Sequence, residues 1–185
     1  VASSYSYPTL IYNFPALLII GITSFLIHWL IFIPSFLTKT EKFYDITGTI
    51  AYLIITLIAI SIPISNGQIL TVRAIVVAAL IIIWSLRLGL YLLIRVFQVG
   101  EDKRFKYAKT SFTKFLMYFT ISAMWVFMTT VNAITVIINN SKQPLSIFFI
   151  MGFIIWLIGF FIEVLADEQK RKFRKDIANR GNFIQ

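Results

Sequence analysis

The sequence has no cysteine and a single histidine, His28. The missing thiols exclude disulfides, thiolate metal sites and cysteine nucleophiles together, and leave the redox compartment open. One histidine and eight acidic residues, with no cluster at ligand spacing, give no reason to expect a metal site. The 8 glycines form no Walker or Rossmann phosphate loop. Charge is also scarce. Only 14% of the residues are charged and 58% are hydrophobic, whereas a soluble domain carries about 25% charged residues. Such a chain has too little polar surface to cover a water-soluble core. An all-α, polytopic integral membrane protein is the expectation.

A membrane helix needs about 20 mostly apolar residues. Five segments qualify: 14–36, 46–64, 72–99, 112–138 and 145–166. Pro34 is read as the end of the first and "PISNGQ" as the close of the second. A shorter charged helix, 167–178, is expected to lie at the membrane surface or to carry the fifth span into water. The chain reads as one membrane domain, 1–185, with no internal repeat. Residues 1–13 contain no basic residue and are not expected to be a signal peptide.

Positive charge alternates from one connection to the next. Lys39 and Lys42 fall in the first connection. Arg95, Lys103, Arg104, Lys106, Lys109 and Lys114 fall in the third, and Lys170, Arg171, Lys172, Arg174, Lys175 and Arg180 in the tail. The N-terminus has none, and the remaining two loops have one each, Arg73 and Lys142. By the positive-inside rule, the N-terminus lies outside and the tail lies on the cytoplasmic or matrix side. The net charge of +9 is thereby assigned to loops and to membrane lipids, not to nucleic acid.

Ionisable groups within spans are functional or paired. His28 reads as an interfacial residue beside Trp29 or as a proton donor. Arg87, Tyr91 and Arg95 are spaced four apart and share one face of the third span. Arg87 lies too deep to snorkel, so it needs an internal acidic or phosphate partner; Glu163 and Asp167 are candidates. At 100° per residue, Glu163, Asp167, Lys170 and Arg174 form a stripe about 60° wide. That stripe reads either as an ion-pair ladder or as a binding face. In a binding face, Asp167 would accept hydrogen bonds from ribose or amide groups and Arg174 would hold phosphate.

The segments "WSLRLGLYLLIRVFQVGEDKRF" and "GFIIWLIGFFIEVLADEQKRKFRKDIANRGNFIQ" resemble the membrane family of unknown function DUF1295, of steroid 5α-reductase-like type. "EKFYDITGTIAYL", with Asp45 and Gly48, is similar to that family's first polar loop and second span. The resemblance covers about 42–185. Its wider superfamily includes sterol reductases and isoprenylcysteine carboxyl methyltransferases. It implies an NADPH-dependent reductase of an activated carbon–carbon double bond in a lipid. Asp167 and Arg174 match an Asp and Arg, seven residues apart, that contact the cofactor in steroid reductases. Arg95, Asp102 and Arg104 belong to the family's loop motif and imply phosphate binding or bracing. Tyr91 is the best-placed proton donor, the role of polarising the substrate carbonyl.

The sequence departs from the pattern in three places. Arg104-Phe105 stands where the family usually has Arg-Tyr. The second span has no counterpart of the steroid-gripping glutamine–glutamate pair. A His-Pro-Asn-Tyr-Phe-Gly-Glu motif is expected after Gln185. Two expectations follow. The sequence is part of a complete reductase, or it is a shortened relative acting as a non-catalytic accessory subunit among other membrane subunits. A channel or transporter is disfavoured, since there is no inverted repeat and no pair of broken helices.

Overall fold

The computed structural model describes residues 10–11, 14–99 and 102–175. It is helical apart from a two-residue antiparallel pair, β1 (Leu10–Ile11) and β2 (Phe14–Pro15). Five helices follow: α1 (Ala16–Leu37), α2 (Tyr44–Ser65), α3 (Val72–Val99), α4 (Phe112–Asn139) and α5 (Ile147–Lys175). All five are long and apolar enough to cross a membrane, so the protein is an integral membrane protein. The chain divides into two compact units, Val1–Lys142 and Gln143–Gln185.

In the first unit, α1 packs on α2 and α4, α2 on α3 and α4, and α3 on α4. Small side chains let these helices approach closely, as membrane helices require when no hydrophobic force drives them together. Ala51, Ala59, Ala78 and Ala123 are all buried at 5% exposure or less. The closest approach is between α2 and α3 at Gly89. A Cβ there would lie 2.6 Å from Thr49 Cγ2 and 2.9 Å from its Cβ. One core cluster, including Ile20, Ile55, Ile62, Ile81 and Ile134, runs through the bundle. A second, aromatic cluster of Phe32, Phe105, Phe115 and Phe119 closes one end.

One sequence reading is corrected and another is decided. Pro34 does not end the first span; α1 continues to Leu37. In the last turn a proline removes one hydrogen bond, and the carbonyl of Pro34 still accepts the Thr38 N–H at 3.0 Å. Of the two readings of the charged segment after Ala166, a surface helix or a continuation of the fifth span, the second holds. The segment continues α5 without a break as far as Lys175, because no glycine or proline interrupts 160–175. The remainder of the expected helix, 176–178, lies outside the described residues, as do Gly100 and Glu101 of the loop motif and Asn179-Arg180-Gly181 of the tail.

The ends of α1 and α2 share a device. Gly67 adopts a left-handed φ of 70° after α2, and Lys39 a φ of 50° after α1. Gln68 N–H then bonds Pro63 O at 3.0 Å, and Thr40 N–H bonds Ser35 O at 2.9 Å. These are the six-to-one bonds of a Schellman ending, which satisfy otherwise orphaned carbonyls. At the far end, Asn140, with φ 44°, follows α4. Its Oδ1 accepts the Thr71 N–H at 2.8 Å, and its Nδ2 donates to Ile69 O at 3.0 Å. That side chain ties the α2–α3 loop to α4.

Candidate functional site

Four helix termini meet at one end of the first unit: the ends of α1 and α3 and the starts of α2 and α4. The loop 102–111 lies over them. Phe105 is its anchor, 3% exposed. Its ring lies 4.8 Å from that of Tyr44 and 5.0 Å from that of Tyr118. Phe105 therefore holds the loop down by packing, with a Phe where the family pattern expects Tyr. Beneath it, Phe32, Phe115 and Phe119 meet edge to face or tilted, the arrangement their ring quadrupoles favour.

Three ion pairs fix this end. Arg95, in the last turns of α3, donates from Nη2 to Asp45 Oδ2 at 2.9 Å. Asp45 stands in the first turn of α2, where the helix N-terminus also favours a carboxylate. Arg104 donates from Nε and Nη2 to Asp102 Oδ2 at 3.0 and 2.6 Å. The Arg104 guanidinium, bonded to both carboxylate oxygens, holds Asp102 below its ordinary value against partial burial. That same contact raises Arg104. Glu41, only 8% exposed, accepts the Lys109 ammonium at 3.0 Å and the Asp102 N–H at 2.9 Å. Burial alone would push the Glu41 carboxyl up. Lys109 and the Asp102 amide outweigh it and hold the carboxyl below its ordinary value.

Arg95, Asp102 and Arg104 are thus brought to one end of the first unit. Tyr91 lies one turn before Arg95 on α3, and the Arg87 guanidinium stands 5.7 Å from the centre of its ring. The acid and lysine that clamp the loop, Glu41 and Lys109, are not singled out by sequence reasoning. Their sequence separation of 68 offers no local periodicity to find them by. Only the occurrence of a lone acid in a short basic loop marks Glu41.

In the second unit, Asp167 and Arg174 lie on α5, seven residues apart and so on one face. Arg171 donates from Nε and Nη2 to Glu168 at 2.7 Å each, and Lys172 approaches the same carboxylate at 3.9 Å. A ladder of i,i+3 and i,i+4 pairs therefore exists on α5. It is centred on Glu168, which is outside the predicted stripe.

His28 belongs to neither place. It is fully buried between α1 and α4. Its Nδ1 lies 2.8 Å from Ser24 O, a carbonyl that can only accept, so Nδ1 carries the hydrogen. Nε2 then accepts from Ser122 Oγ at 3.1 Å. Ser24 Oγ donates to Ala123 O at 3.0 Å, and Trp29 Nε1 to Thr120 Oγ1 at 3.1 Å. The histidine is one of a set of polar bonds joining two spans. An apolar groove of about 450 Å³ runs beside it along α1, from Leu17 to Trp29, with Phe127 of α4. It contains none of the candidate site residues.

The family described as "Protein of unknown function (DUF1295)" matches residues 31–185. No curated protein and no solved structure matches the chain.

Proposed function

The chain belongs to the DUF1295 family, and from that membership we propose that it is a membrane-embedded, NADPH-dependent reductase of an activated carbon–carbon double bond in a lipid. The reading rests on the family's resemblance to steroid 5α-reductases and on one observation. Arg95 and Arg104 are gathered at one end of a membrane bundle, each oriented by a carboxylate and each with guanidinium donors left over. In the donor chemistry they offer, these residues fit the phosphates of a dinucleotide. Within the first unit Arg95 and Arg104 would hold phosphate, with Asp102 bracing Arg104; within the second, taken by itself, the resemblance implies a phosphate role for Arg174 and acceptance from ribose or amide groups for Asp167.

When bound, NADPH supplies the hydride that goes to the β-carbon of the double bond. The Tyr91 hydroxyl polarises the conjugated carbonyl and delivers the proton. The charged end faces the cytoplasmic or matrix side, where the dinucleotide is found, and the N-terminus faces outside.

One observation favours a second reading, a non-catalytic accessory subunit. Each described acid of the first unit is already closed in an internal ion pair, as a purely bracing arrangement would be. NADPH titration of the full chain in nanodiscs separates the two. A reductase binds NADPH, and Arg174→Ala or Arg95→Gln weakens it at least tenfold, about 1.4 kcal/mol. Tyr91→Phe keeps NADPH affinity and loses turnover of an enone lipid. No NADPH binding by the unaltered chain would sink the reductase reading and leave the accessory one.

A further inference from the structure

The three ion pairs have a consequence for the basic residues they leave out. Among the described residues of the first unit, the acids are Glu41, Asp45 and Asp102, and each is bound to Lys109, Arg95 or Arg104. Lys39, Lys42, Lys106 and Lys114 lie around the same end and are all exposed. The acids that could neutralise them are already engaged. Exposed aromatic rings stand between these lysines. Phe43 is 46% exposed, Phe112 54% and Tyr107 76%. Phe43 immediately precedes α2 and Phe112 begins α4. Both therefore mark the level at which spans leave the hydrocarbon, where exposed aromatic rings settle among headgroups. Lys42 adjoins Phe43, Lys114 is two residues past Phe112, and the Lys106 ammonium lies 5.9 Å from the Tyr107 ring centre.

We propose that this end of the bundle is a binding surface for anionic phospholipid headgroups. Lys39, Lys42, Lys106 and Lys114 contact lipid phosphate, and Phe43, Tyr107 and Phe112 are inserted at headgroup depth. The occupant follows from charge and position together. Compact ammonium groups at the edge of a bilayer attract the anionic leaflet, and the rings fix the lysines at the height of its phosphates. The two arginines beside them are held by carboxylates. The lysines are the mobile point charges suited to many headgroups rather than one oriented ligand. The surface is independent of any dinucleotide site and remains if the reductase reading fails.

The full chain, reconstituted in phosphatidylcholine nanodiscs, tests this with trace spin-labelled phosphatidylglycerol or spin-labelled phosphatidylcholine. The motionally restricted fraction reports lipid held at the protein surface. The anionic label should be favoured about fivefold or more at low salt, and the preference should collapse in 1 M salt. The quadruple variant Lys39→Gln, Lys42→Gln, Lys106→Gln, Lys114→Gln should bring the ratio close to one. The matching four lysine-to-arginine changes should preserve it, which separates lost charge from lost fold. Lys142→Gln, beyond the opposite end of α4, should leave it unaltered. Equal retention of the two labels, or a preference that survives the quadruple glutamine variant, would overturn the proposal. So would a preference abolished by millimolar inorganic phosphate at constant ionic strength, since the surface would then be taking a soluble anion.

Discussion

Glu41 receives the Lys109 ammonium and the Asp102 amide from a loop that carries two candidate phosphate-site residues. At 8% side-chain exposure against 17% for Lys109, the pair is shielded enough to matter, unlike the open Arg104–Asp102 pair at 60% and 31%. Glu41→Gln retains an acceptor for the amide but strands the ammonium. A loss of about 1–3 kcal/mol from loop closure is expected, read as faster amide exchange in 102–111. The pH dependence has a definite sign. Folding lowers the Glu41 pKa, so the open loop takes up the proton first. The stabilisation is complete above the ordinary value of 4.5 and is lost as pH falls through the lower folded value. Asp102, lowered from 3.8, acts in the same direction. The protection of the loop's amides, taken relative to their intrinsic exchange rate at each pH, should fall on acidification below that range, and Glu41→Gln should flatten the profile. A profile as steep in the variant would show that Glu41 is not the titrating group. None of this was legible beforehand. The partners of Glu41, Asp45 and His28 lie 50 to 94 positions away, and residue types alone do not say which of many lysines or serines a fold will bring across.

The helices themselves were legible because a bilayer imposes length and composition on each one separately. The third and fourth spans agree with the sequence reading to within a residue. The sequence misleads at Pro34, where local and tertiary rules compete and the helix absorbs the proline; past Ala166 the charged segment continues α5, one of the two courses the sequence leaves open. Helix packing was the hidden part, and Gly89 shows its cost. On propensity alone, Gly89→Ala should stabilise α3 by about 1 kcal/mol. The new Cβ would meet Thr49 at under 3 Å, and overpacking of that kind costs about 1–3 kcal/mol. The clash should win, giving net destabilisation in denaturant unfolding from micelles. Adding Thr49→Gly, which removes the opposing Cβ at 2.9 Å as well as the atoms beyond it, should relieve the clash, a coupling that a double-mutant cycle measures directly. Gly48→Ala meets nothing within 4 Å and should be neutral or stabilising. If Gly89→Ala behaves like Gly48→Ala, the close α2–α3 approach is wrong.

For the molecule as a whole, orientation is the property on which the cofactor proposal depends. The argument for it is statistical in form but physical in cause: lysines and arginines resist translocation, and they collect on the side where they were made. The same asymmetry appears in three dimensions within the first unit. The loops around Lys39, Lys42, Lys106 and Lys109 share one end of the bundle, while Arg73 starts α3 at the other and Lys142 lies past the close of α4 there. The absence of cysteine makes the test clean, because any thiol introduced is the only one present. Lys106→Cys and Lys142→Cys each place a thiol at an exposed loop position on opposite ends. In sealed cells, an impermeant maleimide added outside should label Lys142→Cys at once and leave Lys106→Cys unlabelled until the membrane is opened. Labelling in the reverse order would turn the bundle over. The charged end would then face away from the dinucleotide pool, and the reductase proposal would fall with its topology.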